Sequence, residues 1–216
     1  MSSSVIAPAI LAENAEQYKE QVDKITGLVE RVHIDISDGE FAPTLTVGIP
    51  ELWAPEGWMI DIHAMVNDVA EYVPKLIALR PHMIIVHAEA TGDVKTALMQ
   101  IRQAGIMAGL ALLKPTVPRT VEELIKIADQ VMIFSGELGR FGGTASLMQL
   151  EKIRLIKAIN PSVEIGWDGG VAVDNAYSLV QGGVNVLNVG GVIQKSSDPR
   201  AIFSRLQQEI NKTSVL

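Results

Sequence analysis

Eight short aliphatic runs recur along the chain, separated by segments whose apolar residues fall at three- and four-residue spacing. The runs are Val5–Ile10, Val29–Ile36, Met59–Met65, Met83–His87, Met107–Leu112, Val131–Phe134, Val163–Trp167 and Val184–Val189. The helical segments are Ala15–Ile25, Val69–Leu79, Val94–Ala104, Val121–Ala128, Leu147–Ile159, Ala176–Gln181 and a closing Asp198–Ile210. Strands that are apolar on both faces belong in parallel sheets covered by helices. Eight such units in 216 residues predict an α/β fold, a closed (β/α)8 TIM barrel forming a single domain over residues 1–216. An open doubly wound sheet is disfavoured, because Ile10-Leu11-Ala12-Glu13 stands where its glycine fingerprint would follow the first strand. The connection Phe41–Gly57 holds Pro43, Pro50 and Pro55, so any helix there is short.

Composition narrows the function. With 18 Lys+Arg against 25 Asp+Glu the net charge is −7, and no basic block is present, so neither nucleic acid nor an anionic membrane surface is expected as a partner. Zero cysteines exclude disulfides, thiolate metal sites and cysteine nucleophiles. No stretch reaches the roughly 18 uninterrupted apolar residues of a membrane span. Met1–Ala7 carries no basic residue and runs straight into a strand, so a signal peptide is not expected and the cytoplasm is the predicted compartment.

In a barrel the C-terminal strand ends carry the active site, so polar residues there require an account. The second strand reads Val32-His33-Ile34-Asp35-Ile36, placing His33 and Asp35 on one face; in the third, Asp61 and His63 share a face. The fourth ends in His87-Ala88-Glu89 and the seventh in Asp168-Gly169-Gly170. Taken singly, each has an ordinary structural reading: an interior histidine bonded to a carboxylate, or an aspartate capping the next helix. As a set they offer mixed nitrogen and oxygen ligands suited to a divalent cation without demanding zinc. Glycines gather after the last three strands: Gly136, Gly139, Gly142 and Gly143, then Gly169-Gly170, then Gly190-Gly191. One pair would be an ordinary turn; three groups on one half of a barrel point to an anion held by backbone N–H groups.

The chain resembles the ribulose-phosphate 3-epimerases from Ile6 to about Ile193. The resemblance is carried by Ala7-Pro8-Ala9-Ile10-Leu11-Ala12, His33-Ile34-Asp35-Ile36-Ser37-Asp38-Gly39-Glu40-Phe41-Ala42-Pro43, Asp61-Ile62-His63-Ala64-Met65, Val86-His87-Ala88-Glu89-Ala90-Thr91, Phe141-Gly142-Gly143 and Asp168-Gly169-Gly170-Val171. It implies a homo-oligomeric barrel that interconverts D-ribulose 5-phosphate and D-xylulose 5-phosphate through an enediolate. It also implies one divalent metal (Zn, Fe, Mn or Co) on His33, Asp35, His63 and Asp168, and no organic cofactor. Asp35 and Asp168 would be the two acid/base groups. Sugar-phosphate contacts would come from His63, Met65, Phe141, Gly142, Gly143, Gly169, Gly170, Gly190 and Gly191. Two carboxylates suit the reaction, because a single base tends to return its proton to the face it came from.

The substrate-facing wall departs from the family pattern. Ala9 replaces a serine, Ser37 and Phe134 replace methionines, the loop Ser135–Thr144 is longer and carries Glu137 and Arg140, and Gly191 replaces a serine. The sugar phosphate therefore stays open, with a hexulose phosphate as one alternative and binding without turnover as another. The Asp-x-Lys-x-x-Asp pattern of the related synthases and decarboxylases is missing at Asp35-Ile36-Ser37-Asp38-Gly39. Schiff-base chemistry at Lys114 is a weaker reading than a loop lysine before Pro115. His82 is expected at the surface, His87 beside the site, and Asp38 as a loop or turn residue.

Overall fold

The strands Val5–Ile10 (β1), Arg31–Ser37 (β2), Met59–Met65 (β3), Met83–His87 (β4), Met107–Leu112 (β5), Gln130–Phe134 (β6), Glu164–Asp168 (β7) and Val186–Val189 (β8) pair in chain order, all parallel, and β8 returns to β1. The result is a closed barrel with no free edge. This computed structural model describes residues 4–140 and 142–212. Helices Ala15–Ile25 (α1), Val69–Ala78 (α2), Val94–Gln103 (α3), Glu122–Ile127 (α4), Glu151–Ile159 (α5), Val173–Gln181 (α6), Gly191–Gln194 (α7) and Pro199–Ile210 (α8) follow the strands. Between β2 and β3 the proline-rich connection forms only a 3-10 turn at Ile49–Glu51, as those prolines require.

Strand alternation sorts the side chains. Val32, Ile34 and Ile36 of β2 and Ile62 and Ala64 of β3 join the large apolar layer beneath the helices. His33, Asp35, Asp61 and His63 take the intervening positions, which face the barrel interior. The interior apolar cluster is small: Met83, Ile85, Ala111, Met132 and Phe134. Polar groups fill much of the remaining lumen, in two tiers.

The lower tier is a closed ion network. The Arg31 guanidinium donates through Nε to Asp61 Oδ2 at 2.7 Å and, as a fork, to both Glu164 oxygens at 3.0 and 2.9 Å. Gln130 Nε2 also donates to Glu164, and His82 Nδ1 lies 2.8 Å from Asp61 Oδ1. His82 is thus half-buried and tied to this network rather than a free surface residue, because Asp61 reaches down the lumen toward it. Asp61 shares a strand face with His63 yet belongs to this tier; the strand rise of about 3.3 Å per residue separates their levels.

Strand and helix bounds shift modestly from the sequence expectation. Val184 closes the turn behind α6, donating its N–H to the Leu179 carbonyl at 3.1 Å, so β8 begins only at Val186. Gly191, in the glycine pair after the last strand, opens the four-residue helix α7.

Candidate active site

The upper tier brings His33 and Asp35 of β2, His63 of β3 and Asp168 of β7 together at the C-terminal mouth. One ligand atom from each of the four lies within 4.8 Å of all the others. His63 Nδ1 is 2.8 Å from Asp35 Oδ1 and 3.7 Å from Asp168 Oδ2; His33 Nε2 is 3.2 Å and 3.9 Å from the same two oxygens. Both imidazoles are fully buried, and the carboxylates are nearly so. Burial alone would push the Asp35 carboxyl upward, but the neighbouring His33 and His63 imidazoles hold it well below the usual carboxylate range. Asp168 goes the other way: burial and the Asp35 charge raise it. Burial opposes protonation of His33, yet Asp35 and Asp168 raise it above the ordinary imidazole value.

The donor set fits a divalent cation on grounds internal to the structure. Among the described residues neither ring nitrogen of buried His33 has a well-aligned hydrogen-bond partner. His63 Nε2 lies 2.8 Å from His87 Nε2, and His87 Nδ1 lies 3.4 Å from Glu89 Oε2. Glu89 is itself fixed by the Leu113 N–H at 3.0 Å and by the Thr116 hydroxyl. Burial depresses His87 to about 4 despite its bond to Glu89, so it is neutral. With its Nδ1–H donating to Glu89, the neutral His87 ring accepts at Nε2 from His63 Nε2–H. That leaves the His63 Nδ1 lone pair directed at two carboxylates, an arrangement that a shared cation relieves.

The cluster opens into a cavity of about 520 Å3. Asp35, Met65, Phe134 and Asp168 line its chemical end; Gly142, Gly143, Gly170, Gly190 and Gly191 line the other, with Lys195 at the rim. Gly169 and Gly170 sit at φ +96° and +73°, and a β-carbon would lie 2.0 Å from Gly136 N or 2.1 Å from Ala145 N respectively. Only glycine lets these two loops approach so closely. Phe41, in the loop after β2, stacks on His87 with ring centres 4.6 Å apart. Asp38 holds that loop, accepting from the Glu40 and Phe41 N–H groups at 2.8 Å each and from Asn67 N–H at 2.6 Å.

Of the residues expected at the site, His33, Asp35, His63 and Asp168 meet around one centre. Met65, Gly142, Gly143, Gly169, Gly170, Gly190 and Gly191 line the adjoining cavity. Phe141 lies outside the described residues. Arg140 borders the cavity, but its side chain is mostly exposed and 3.8 Å from Glu137. Lys114 borders a neighbouring recess, and its carbonyl accepts from buried Lys152. Two lining residues carry no signal readable from sequence alone: Lys195 beyond α7, and Asn188 within the aliphatic β8.

A (β/α)8 barrel that gathers imidazoles and carboxylates at its strand ends, beside a glycine-lined recess, has the architecture of a barrel enzyme. The model of the ribulose-phosphate 3 epimerase family matches residues 5–194, and the chain belongs to that family of isomerases. It is 30% identical over 211 residues to ribulose-phosphate 3-epimerase from Aquifex aeolicus, covering 94% of this chain and 95% of that one. Against the chloroplastic ribulose-5-phosphate-3-epimerase of Arabidopsis thaliana identity is 29% over 210 residues, covering 91% and 74%. The fold is shared with 3-hexulose-6-phosphate synthase from Salmonella typhimurium, with a TM-score of 0.74, 16% identity and coverage of 95% and 98%. Among the described residues no helix is long and apolar enough to cross a membrane.

Proposed function

We propose that this chain interconverts D-ribulose 5-phosphate and D-xylulose 5-phosphate by moving a proton between the two faces of the carbon next to the ketone. The observation that carries this reading is the placement of Asp35 and Asp168, on β2 and β7, around one ligand centre that opens into the glycine-lined cavity. The names of the relatives supply the pentulose. His33, Asp35, His63 and Asp168 would hold one divalent cation (zinc, iron, manganese or cobalt), and no organic cofactor is invoked. When bound, such an ion supplies positive charge beside the oxygens on which negative charge collects as the proton leaves.

The rest falls to the protein. The glycine loops present backbone N–H groups to the phosphate and set how deep the sugar sits. Asp35 and Asp168 would flank the reacting carbon: one removes its proton, and the other, carrying a proton, delivers it to the far face. Phe134 and Met65 close the apolar sides of the pocket and restrict water there. Epimerisation of D-ribulose 5-phosphate, measured before and after chelation and on re-addition of each metal, tests the proposal. Activity that falls on chelation and returns with a divalent ion supports it; metal-free protein with full activity refutes it. A second reading, a different ketose phosphate, is favoured by the methyl of Ala9 and the ring of Phe134 on the cavity wall. Solvent deuterium entering a hexulose phosphate but not the pentulose would establish that reading instead.

A further inference from the structure

Asn188 is a buried amide that, among the described residues, meets only a thioether. It lies on β8, 3% exposed, and lines the cavity. In the barrel register it stands beside Asp168 of β7 on one side and Ala7 of β1 on the other. Among the described residues its Oδ1 has no hydrogen-bond partner, and its Nδ2 reaches only the Met132 thioether at 3.1 Å. Sulfur in a thioether is a weak acceptor, so turning the amide over leaves the account unchanged: one end meets sulfur and the other meets nothing. Leaving such a group unpaired inside a protein is costly, and buried polar groups in folded chains are ordinarily paired. A valine or leucine would fill this position of an aliphatic strand without that cost.

The surroundings indicate what pairs with it. On β1, Ala9 presents only a methyl to the cavity, and Leu11 above it is apolar. Asn188 is therefore the polar side chain on the β8–β1 wall of the chemical end, level with Asp168 and two residues below Gly190. A neutral amide both donates and accepts, as a sugar hydroxyl does, and it adds no charge beside two carboxylates. We propose that Asn188 binds a hydroxyl or carbonyl oxygen on a carbon flanking the one that exchanges its proton. It would thereby hold the sugar against the wall from which β1 contributes no hydrogen bond. This rests on the epimerase reading above and makes Asn188 a specificity-determining residue for it.

The test is Asn188→Leu, which keeps the branched outline of the side chain and removes its polar atoms, compared with wild type in metal-replete protein. Expected are a 10- to 100-fold fall in kcat/KM for the ketose phosphate, an inhibition constant for inorganic phosphate within twofold of wild type, and a Tm no lower than wild type. A purely structural amide would lower Tm on removal, so the unchanged Tm separates the two roles. Should Asn188→Leu fail to fold, Asn188→Ala carries the same expectation of at least a 10-fold loss. Active wild type with either folded variant within twofold of it in kcat/KM overturns the assignment and leaves the epimerase reading standing. A loss of Tm and of phosphate binding in proportion to activity overturns it as well. Wild type inert toward every ketose phosphate brings down the epimerase reading and this inference with it.

Discussion

His63 and His87 meet nitrogen to nitrogen, Nε2 to Nε2 at 2.8 Å, inside the barrel mouth. Only one of the two can hold the proton between them, and the Glu89 carboxylate beyond His87 decides which. The chain Glu89–His87–His63 therefore sets the tautomer that frees His63 Nδ1 for a cation. Partners of this kind typically contribute 10- to 100-fold in metal affinity. We expect His87→Phe, which keeps a ring in contact with Phe41 and Phe134, and Glu89→Gln to bind zinc about 10- to 100-fold more weakly. Competition against a chromogenic chelator measures this, and unchanged affinity in both variants would remove the relay from the account.

Asp35 and Asp168 divide the two faces of the substrate in the mechanism proposed here, so their amide variants should fail in different ways. At saturating metal, Asp35→Asn and Asp168→Asn are each expected to lose about 10²- to 10⁴-fold in epimerisation. Each should still exchange solvent deuterium into one epimer, and not the same epimer. Mass spectrometry of the recovered ketose phosphates reads the pattern. Exchange into both epimers by either variant would show that one carboxylate serves both faces.

Much of this was legible in the residues. Aliphatic runs defined the strands, and period-two alternation put His33, Asp35 and His63 on the inner face. Alternation gives a side but not a level, and so it could not separate Asp61, in the lower ion network, from His63 two residues on. It also could not join His87 and Glu89 to His63, because that contact depends on β3 lying against β4. Asn188 was hidden for a related reason: Val184–Val189 reads as an ordinary buried strand, and the amide gains meaning only from the cavity above it. Glycine spacing revealed a recess but not the short helix α7 or the placement of Lys195 at its rim.

The lower network predicts a stability effect distinct from activity. Arg31 is buried and supplies the cationic partner of both Asp61 and Glu164. Removing one partner of a buried ion network costs about 3–5 kcal/mol, because the remaining charges stay uncompensated. Arg31→Met should therefore lower Tm by on the order of 10 °C for a chain of this size. Its kcat per folded molecule at 25 °C should stay near wild type, since the upper tier is untouched. A Tm within 2 °C of wild type would mean the network contributes little.

Tyr18 carries a pH signature. Burial raises its phenol to about 12, and the hydroxyl donates to the Trp53 carbonyl at 2.7 Å. A group whose folded value lies above its unfolded value of 10.0 favours the folded state fully below pH 10, and that contribution is lost as pH rises toward 12. Denaturation midpoints between pH 9 and 12 should fall more steeply for wild type than for Tyr18→Phe. Parallel slopes would show that Tyr18 ionises alike in both states.

The glycines separate conformational cost from site cost. Gly57 has φ +89° and open space where a β-carbon would go, so Gly57→Ala meets only backbone strain. Strain of that kind costs about 1–2 kcal/mol, and KM should not change. Gly170 has a similar φ of +73°, but an added β-carbon would lie 2.1 Å from Ala145 N, so the loop after β6 must move. That loop carries Gly142 and Gly143 of the cavity lining, and the displacement should raise KM for the sugar phosphate at least 10-fold beyond any change in Tm. Thermal melts paired with KM values for the two variants make the comparison. Equal effects on KM would show that the loop contact at Gly170 does not organise the phosphate end of the cavity.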